Sequence, residues 1–135
     1  MSLGTLNLVA SHRRPNTPYI SSDIMNFKPL VWIGDSLKRV RDFAAGARKE
    51  IGFELWEVQQ GKPPSDWKPM TPVGPGVREL RVFSEAAYRV IYVATFAEAV
   101  YVLHAFEKKS RKAPRPDVEL ARIRFRALVQ ERNKR

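Results

Sequence analysis

The feature that most constrains this chain is the stretch from Val77 to Lys112, which reads VRELRVF, AAYRVIYVA, AVYVLHAF and then EKKSRK. Three runs rich in Val, Ile, Tyr and Phe, parted by Ser84-Glu85 and by Thr95-Phe96-Ala97-Glu98, predict an antiparallel meander of three strands. Charge sits unusually on this sheet. Arg81 and Arg89 lie inside apolar strands, and the third strand runs directly into Lys108, Lys109, Arg111 and Lys112. The pattern describes a cationic surface on a rigid floor.

Around the meander the chain divides simply. Residues 1–24 carry no sustained period and hold Pro15 and Pro18, so they are expected to form a poorly ordered leader or a mis-assigned start, with Met25 as the alternative beginning and His12, Arg13 and Arg14 solvated. The domain is expected over 25–135. Leu30-Val31-Trp32-Ile33, ended by Gly34, predicts a first strand buried on both faces. Asp35 or Ser36 offers an N-cap. Leu37, Val40, Phe43, Ala44 and Ala47, then Ile51, Leu55 and Val58, follow at helical spacing, and Gly46 points to a pair of helices joined near Ala45-Gly46. The outward face of the pair, including Arg39, Asp42, Glu54 and Glu57, reads as solvated charge. Between Gly61 and Gly76 the segment GKPPSDWKPMTPVGPG reads as a loop, with Trp67 either plugging a core edge or stacking on a base. After Pro114 and Pro116, Asp117 opens a last helix whose buried face is Val118, Ala121, Phe125, Leu128 and Val129.

Hydrophobic residues make up 44% of the chain, so a formal net charge of +10 is not a sign of failure to fold. It points to a polyanionic partner. From His104 onward, eleven lysines and arginines face Glu107, Asp117, Glu119 and Glu131, which concentrates +7 of the +10 in that segment. There is no cysteine, so disulfides and thiolate metal sites are excluded. No apolar run approaches the roughly 18 residues of a membrane span, and no signal-peptide core is visible. A cytoplasmic protein without membrane attachment is expected.

Elimination narrows the chemistry. The sequence has no H-x-x-x-H, H-E-x-x-H or D-x-D, and Gly74-Pro75-Gly76 lacks the Gly-Lys-Ser/Thr ending of a phosphate loop. Neither a metal nor another cofactor is expected. A metal-free cationic site can still cleave RNA, because the 2′-hydroxyl supplies the nucleophile. Arginines fixed on strands suit the phosphate, since their forked donors match its oxygens. Lys108 or Lys109 is a candidate to move protons, and so is His104, with an ordinary pKa of about 6.5. Each also has a plainer role. Arg81 and Arg89 sit equally well on a solvated sheet face, Lys108-Lys109 serves as a charged strand end, and His104 packs in the core if it alternates with Val102 and Phe106 on one side of a strand. Tyr88 and Tyr92 share a face and read most simply as core or cross-strand partners.

Several segments together match a known pattern: Gly76-Val77-Arg78-Glu79-Leu80-Arg81, Tyr88-Arg89-Val90-x-Tyr92, Leu103-His104-Ala105-Phe106-x-Lys108-Lys109-Ser110-x-Lys112-x-Pro114 and Glu119-x-Ala121-x-x-Arg124. With the opening Lys28-Pro29-Leu30-Val31-Trp32-Ile33-Gly34-Asp35-Ser36, the chain from Met25 onward resembles the phage-derived, HigB-like branch of the RelE/ParE toxin superfamily. The resemblance implies an α+β, RelE-like fold: a twisted antiparallel sheet of about four strands on an N-terminal helix pair, with a C-terminal helix. It implies a toxin of a type II toxin-antitoxin system that cuts mRNA on the ribosome and is neutralised by a small antitoxin, often of helix-turn-helix type. The basic sheet positions fall on Arg81 and Arg89, and the F-x-K-K signature on Phe106, Lys108 and Lys109. The expected catalytic set is therefore Arg81, Arg89, Lys108, Lys109 and His104, surrounded by Arg78, Arg111, Lys112, Arg124, Phe106 and Tyr92 as RNA contacts. Two other readings stay open: a ParE-like inhibitor of DNA gyrase, and a non-catalytic nucleic-acid-binding module.

Overall fold

A computed structural model of the chain describes residues 27–134 apart from Ala113. The leader over 1–24 and the alternative start at Met25 lie outside the described residues. In order, the elements are strand β1 (Leu30–Trp32), helices α1 (Ser36–Arg41) and α2 (Ala45–Gln59), strands β2 (Trp67–Pro69), β3 (Val77–Phe83), β4 (Ala87–Val93) and β5 (Val100–Lys108), and helix α3 (Arg115–Asn133). The strands form one five-stranded sheet in the order β1-β5-β4-β3-β2.

The meander forms where its β-branched and aromatic runs predict. Phe83↔Ala87 closes the β3-β4 hairpin, and Glu85 takes the left-handed conformation at its tip (φ 66°). Two features differ from expectation. The Pro-rich segment holds a fifth strand, β2, whose Pro69 is tolerated because β2 pairs on one side only, with β3. The first strand is not buried on both faces either. β1 lies at the opposite edge of the sheet and pairs in parallel with β5, so Val31 is 37% exposed and the sheet is mixed.

Alternation along the strands separates two cores. Leu80, Val82, Tyr88, Val90 and Tyr92 meet Val40, Ala47, Ile51, Leu55 and Val58 of the helix pair. On the other face, Val77, Ile91, Val93, Tyr101 and Leu103 pack under Ala121, Phe125 and Leu128 of α3. Helices thus cover both faces. The helix pair breaks at Asp42–Ala44, just before the glycine that suggested the break. Asp35 occupies the N-cap position of α1 without a side-chain cap, and Glu54 is not solvated: it is buried and accepts hydrogen bonds from the Ser65 backbone and hydroxyl, both 2.8 Å.

Polar side chains pin α3 along its length. Asp117 in the first turn bonds His104, Arg124 in the middle bonds Asp35 and the Leu103 carbonyl, and Arg132 at the end bonds Glu98. The guanidinium of Arg124 lies so close over Gly34 (φ 57°) that a Cβ there would sit 2.6 Å from it. Gly34 is therefore required by backbone conformation and by space.

Candidate nucleic-acid interface

The face under α3 is divided along the strands. Toward one end its residues are apolar and covered by the helix. Toward the other, the alternation continues with Glu79 and Arg81 on β3, Arg89 on β4 and Lys108 on β5, and α3 has only just begun. The result is an open groove of about 980 Å³ between the charged half of the sheet and the start of α3. Its walls add Lys68, Arg111, Arg115 and Arg122, and among the described residues Glu119 is the one acid besides Glu79.

The floor is a cross-strand cluster. Arg81 stands directly opposite Arg89, and Lys68 opposite Glu79. Two arginines side by side would repel, and Glu79 offsets this, with Oε1 3.9 Å from Lys68 Nζ, 3.9 Å from Arg81 Nε and 3.8 Å from Arg89 Nε. None of these contacts is short enough to be a hydrogen bond. Arg89 is held most tightly, with a side chain 12% exposed, one guanidinium nitrogen donating to the Tyr88 carbonyl at 3.1 Å, and a buried Nε that has no hydrogen-bond partner. Burial lowers its pKa and the Glu79 carboxylate opposes that. Arg81, 36% exposed, opens to the groove. Two guanidinium forks with unspent donors, set side by side on a sheet, match two or more oxygens of one phosphate.

Not every expected residue joins this cluster. Lys108 and Arg111 line the groove, whereas Lys109 and Lys112 line an adjoining hollow along the turn into α3. Arg78 and Tyr92 are on the opposite face: Arg78 lies over the Trp67 ring at 3.9 Å, and Tyr92 is fully buried against the helix pair, so it cannot stack on a base. Trp67, half-buried beneath Arg78, takes the edge-plugging role. Phe106 faces the right side but is buried in the α3 core. Arg124 is committed to Asp35 and to the Leu103 carbonyl, which makes it a bracket for α3.

His104 is likewise not a groove residue. It is fully buried, its Nε2 is 2.7 Å from Asp117 Oδ1, and it lies against Phe106. It does not alternate simply with Val102, because the register slips at Ile91/Tyr92: Ile91 faces His104, Tyr92 faces Val102, and Leu103 is left over. Burial pushes its pKa down, against the Asp117 hydrogen bond that raises it. A neutral ring donating from Nε2 to the carboxylate is a core role.

Three participants in this surface carry no mark in the sequence reading. Lys68 is placed by the unforeseen strand β2. Glu79 follows from the same alternation as Arg81, two residues before it. Phe83, the next residue on that face, is 74% exposed, which folding does not explain. Among the described residues, no three His, Asp or Glu side chains gather as a metal site, and no helix is long and apolar enough to cross a membrane.

Comparison with known proteins adds one match. The model of the family described as phage derived protein Gp49-like (DUF891) matches residues 38–126, well over half of the chain, from α1 to the middle of α3. No curated protein and no solved structure matches.

Proposed function

The chain belongs to the phage-derived Gp49-like family, a RelE/HigB-like toxin family, and on that premise we propose that it is the toxin of a type II toxin-antitoxin pair acting as a metal-independent endoribonuclease on mRNA in the ribosome. The observation that carries this reading is the Arg81-Arg89 pair, preorganised on a rigid sheet beside a groove lined with cations. In RNA cleavage by the 2′-hydroxyl, the phosphorus becomes five-coordinate and its non-bridging oxygens gain charge. Two fixed guanidinium groups stabilise that charge more than they stabilise the ground state. Lys108, at the groove wall, is the ammonium that reaches the leaving 5′-oxygen, and Lys109, Arg111 and Lys112 hold flanking phosphates. Phe83, exposed on the same face as Arg81, stacks on a base beside the cut. The neutralising partner is a small antitoxin, of helix-turn-helix type, whose acidic segment covers the groove.

Induced expression in bacteria, with mRNA ends mapped, tests the reading. The chain is expected to arrest growth and produce new ends inside translated messages. Arg81→Ala, still folded, is expected to produce neither, and Phe83→Ala to weaken cutting without abolishing it. Arrest without new ends would replace this reading with gyrase inhibition.

A further inference from the structure

The phosphate clamp leaves open which group takes the proton from the attacking 2′-hydroxyl. Among the described residues the groove offers few acceptors. Arginines do not give up a proton in proteins, and lysine ammonium groups are donors only. Glu119 sits on the rim, half-exposed and hydrogen-bonded to Arg122. His104, the expected alternative, is sealed beneath α3 with one nitrogen on Asp117.

Glu79 remains. Its side chain is 6% exposed, yet its carboxylate makes no hydrogen bond with the described residues: its three cationic neighbours all stand at 3.8–3.9 Å. A carboxylate so buried is ordinarily satisfied by short donors, as Glu54 is by Ser65. Glu79 instead presents unspent acceptors beside the two guanidinium groups that would hold the scissile phosphate. An RNA phosphate bound by Arg81 and Arg89 brings its own 2′-hydroxyl to this corner of the groove.

We propose that Glu79 is the general base of the cleavage reaction, an inference that rests on the ribonuclease reading above. The carboxylate takes the 2′-hydroxyl proton as the 2′-oxygen bonds to phosphorus. The bond from phosphorus to the 5′-oxygen breaks, and Lys108 delivers a proton to that oxygen. The products are a 2′,3′-cyclic phosphate and a 5′-hydroxyl, with no co-reactant. The lesser role for Glu79 is to space the two arginines. A spacer would act on binding, whereas a base acts on the chemical step.

The test is Glu79→Gln, which keeps size and polarity but is not a base, with Glu79→Asp as a second variant and thermal melting as the check on folding. Each is assayed on a defined message in purified translating ribosomes, and for binding to the same message carrying a single 2′-deoxy nucleotide at the cut. Glu79→Gln is expected to cut at least about 100-fold more slowly while binding the deoxy message as tightly as wild type or tighter, since one negative charge is gone. Glu79→Asp is expected to retain part of the rate that Glu79→Gln loses. Cutting by Glu79→Gln within about threefold of wild type would overturn the proposal, as would parallel loss of binding and cutting. Failure of the wild type itself to cut would instead sink the ribonuclease reading, and the base with it.

Discussion

At the scale of single residues, the side chain that best separates a phosphate site from a generic basic surface is Arg89. A surface arginine is mobile and hydrated, whereas Arg89 is largely desolvated, anchored to the Tyr88 carbonyl and left with a donor unspent. Replacing its planar fork with an ammonium keeps the charge and loses the bidentate geometry. Arg89→Lys is therefore expected to lower the cleavage rate by about tenfold or more, about 1.4 kcal/mol at the barrier, with a melting temperature close to wild type. A rate unchanged in Arg89→Lys would mean that only charge matters there. Charge within apolar strands made Arg81 and Arg89 legible from sequence, and the same alternation held further information. Arg78 is three residues from Arg81, and Tyr92 three from Arg89, so strict period two sets each on the opposite face. Glu79 shares the face of Arg81 by the same rule. Arg124 and Phe106 were not legible in this way, because what removes them from the groove is contact with residues far away in sequence.

At the scale of elements, helix α3 decides which half of the sheet face is core and which is groove. Its position depends on close packing as well as on its polar pins. Gly74, in the loop before β3, lies against the Phe125 ring so closely that an added Cβ would be 2.2 Å from a ring carbon. Gly74→Ala is expected to destabilise the fold by about 1–3 kcal/mol, read as a lower urea midpoint at unchanged slope. The pins also predict a pH dependence. The Arg124 hydrogen bond holds Asp35 at about 2 and the Arg132 hydrogen bond holds Glu98 at about 2, so both are bound as carboxylates in the folded state. Their contribution is present above the ordinary carboxylate range and is lost as pH falls through about 2. His104 acts in a higher window. Its folded pKa is lowered, so the unfolded chain takes up a proton first, and stability declines as pH drops below about 6.5. Urea midpoints measured from pH 7 to 2 are expected to fall in both windows, with the upper slope missing in His104→Gln. A flat profile between pH 7 and 5 would contradict the buried neutral histidine. The helical period of α2 and α3 was readable because each buries one continuous face, and the meander because its runs are dense in β-branched and aromatic residues. Strand β2 was not, since its three residues include a proline and owe their extended pairing to the edge of β3.

At the scale of the whole molecule, a groove lined by seven lysines and arginines lies on one side of a two-faced sheet, and the helix pair on the other face serves as its foundation. Net charge and its concentration toward the C-terminal end were visible in the sequence. The groove itself depends on β2 and α3 converging on the charged half of β3 and β4, which required the fold. On the reading proposed above, this surface does chemistry with the nucleophile that RNA itself carries. The most direct measurement uses the purified chain on translating ribosomes loaded with either of two messages, identical except for a 2′-deoxy nucleotide on the 5′ side of the mapped cut. The all-ribose message is expected to be cut there to leave a 2′,3′-cyclic phosphate, and the single deoxy substitution is expected to abolish that cut. Equal cutting of both messages would require a nucleophile from elsewhere and would contradict that reading.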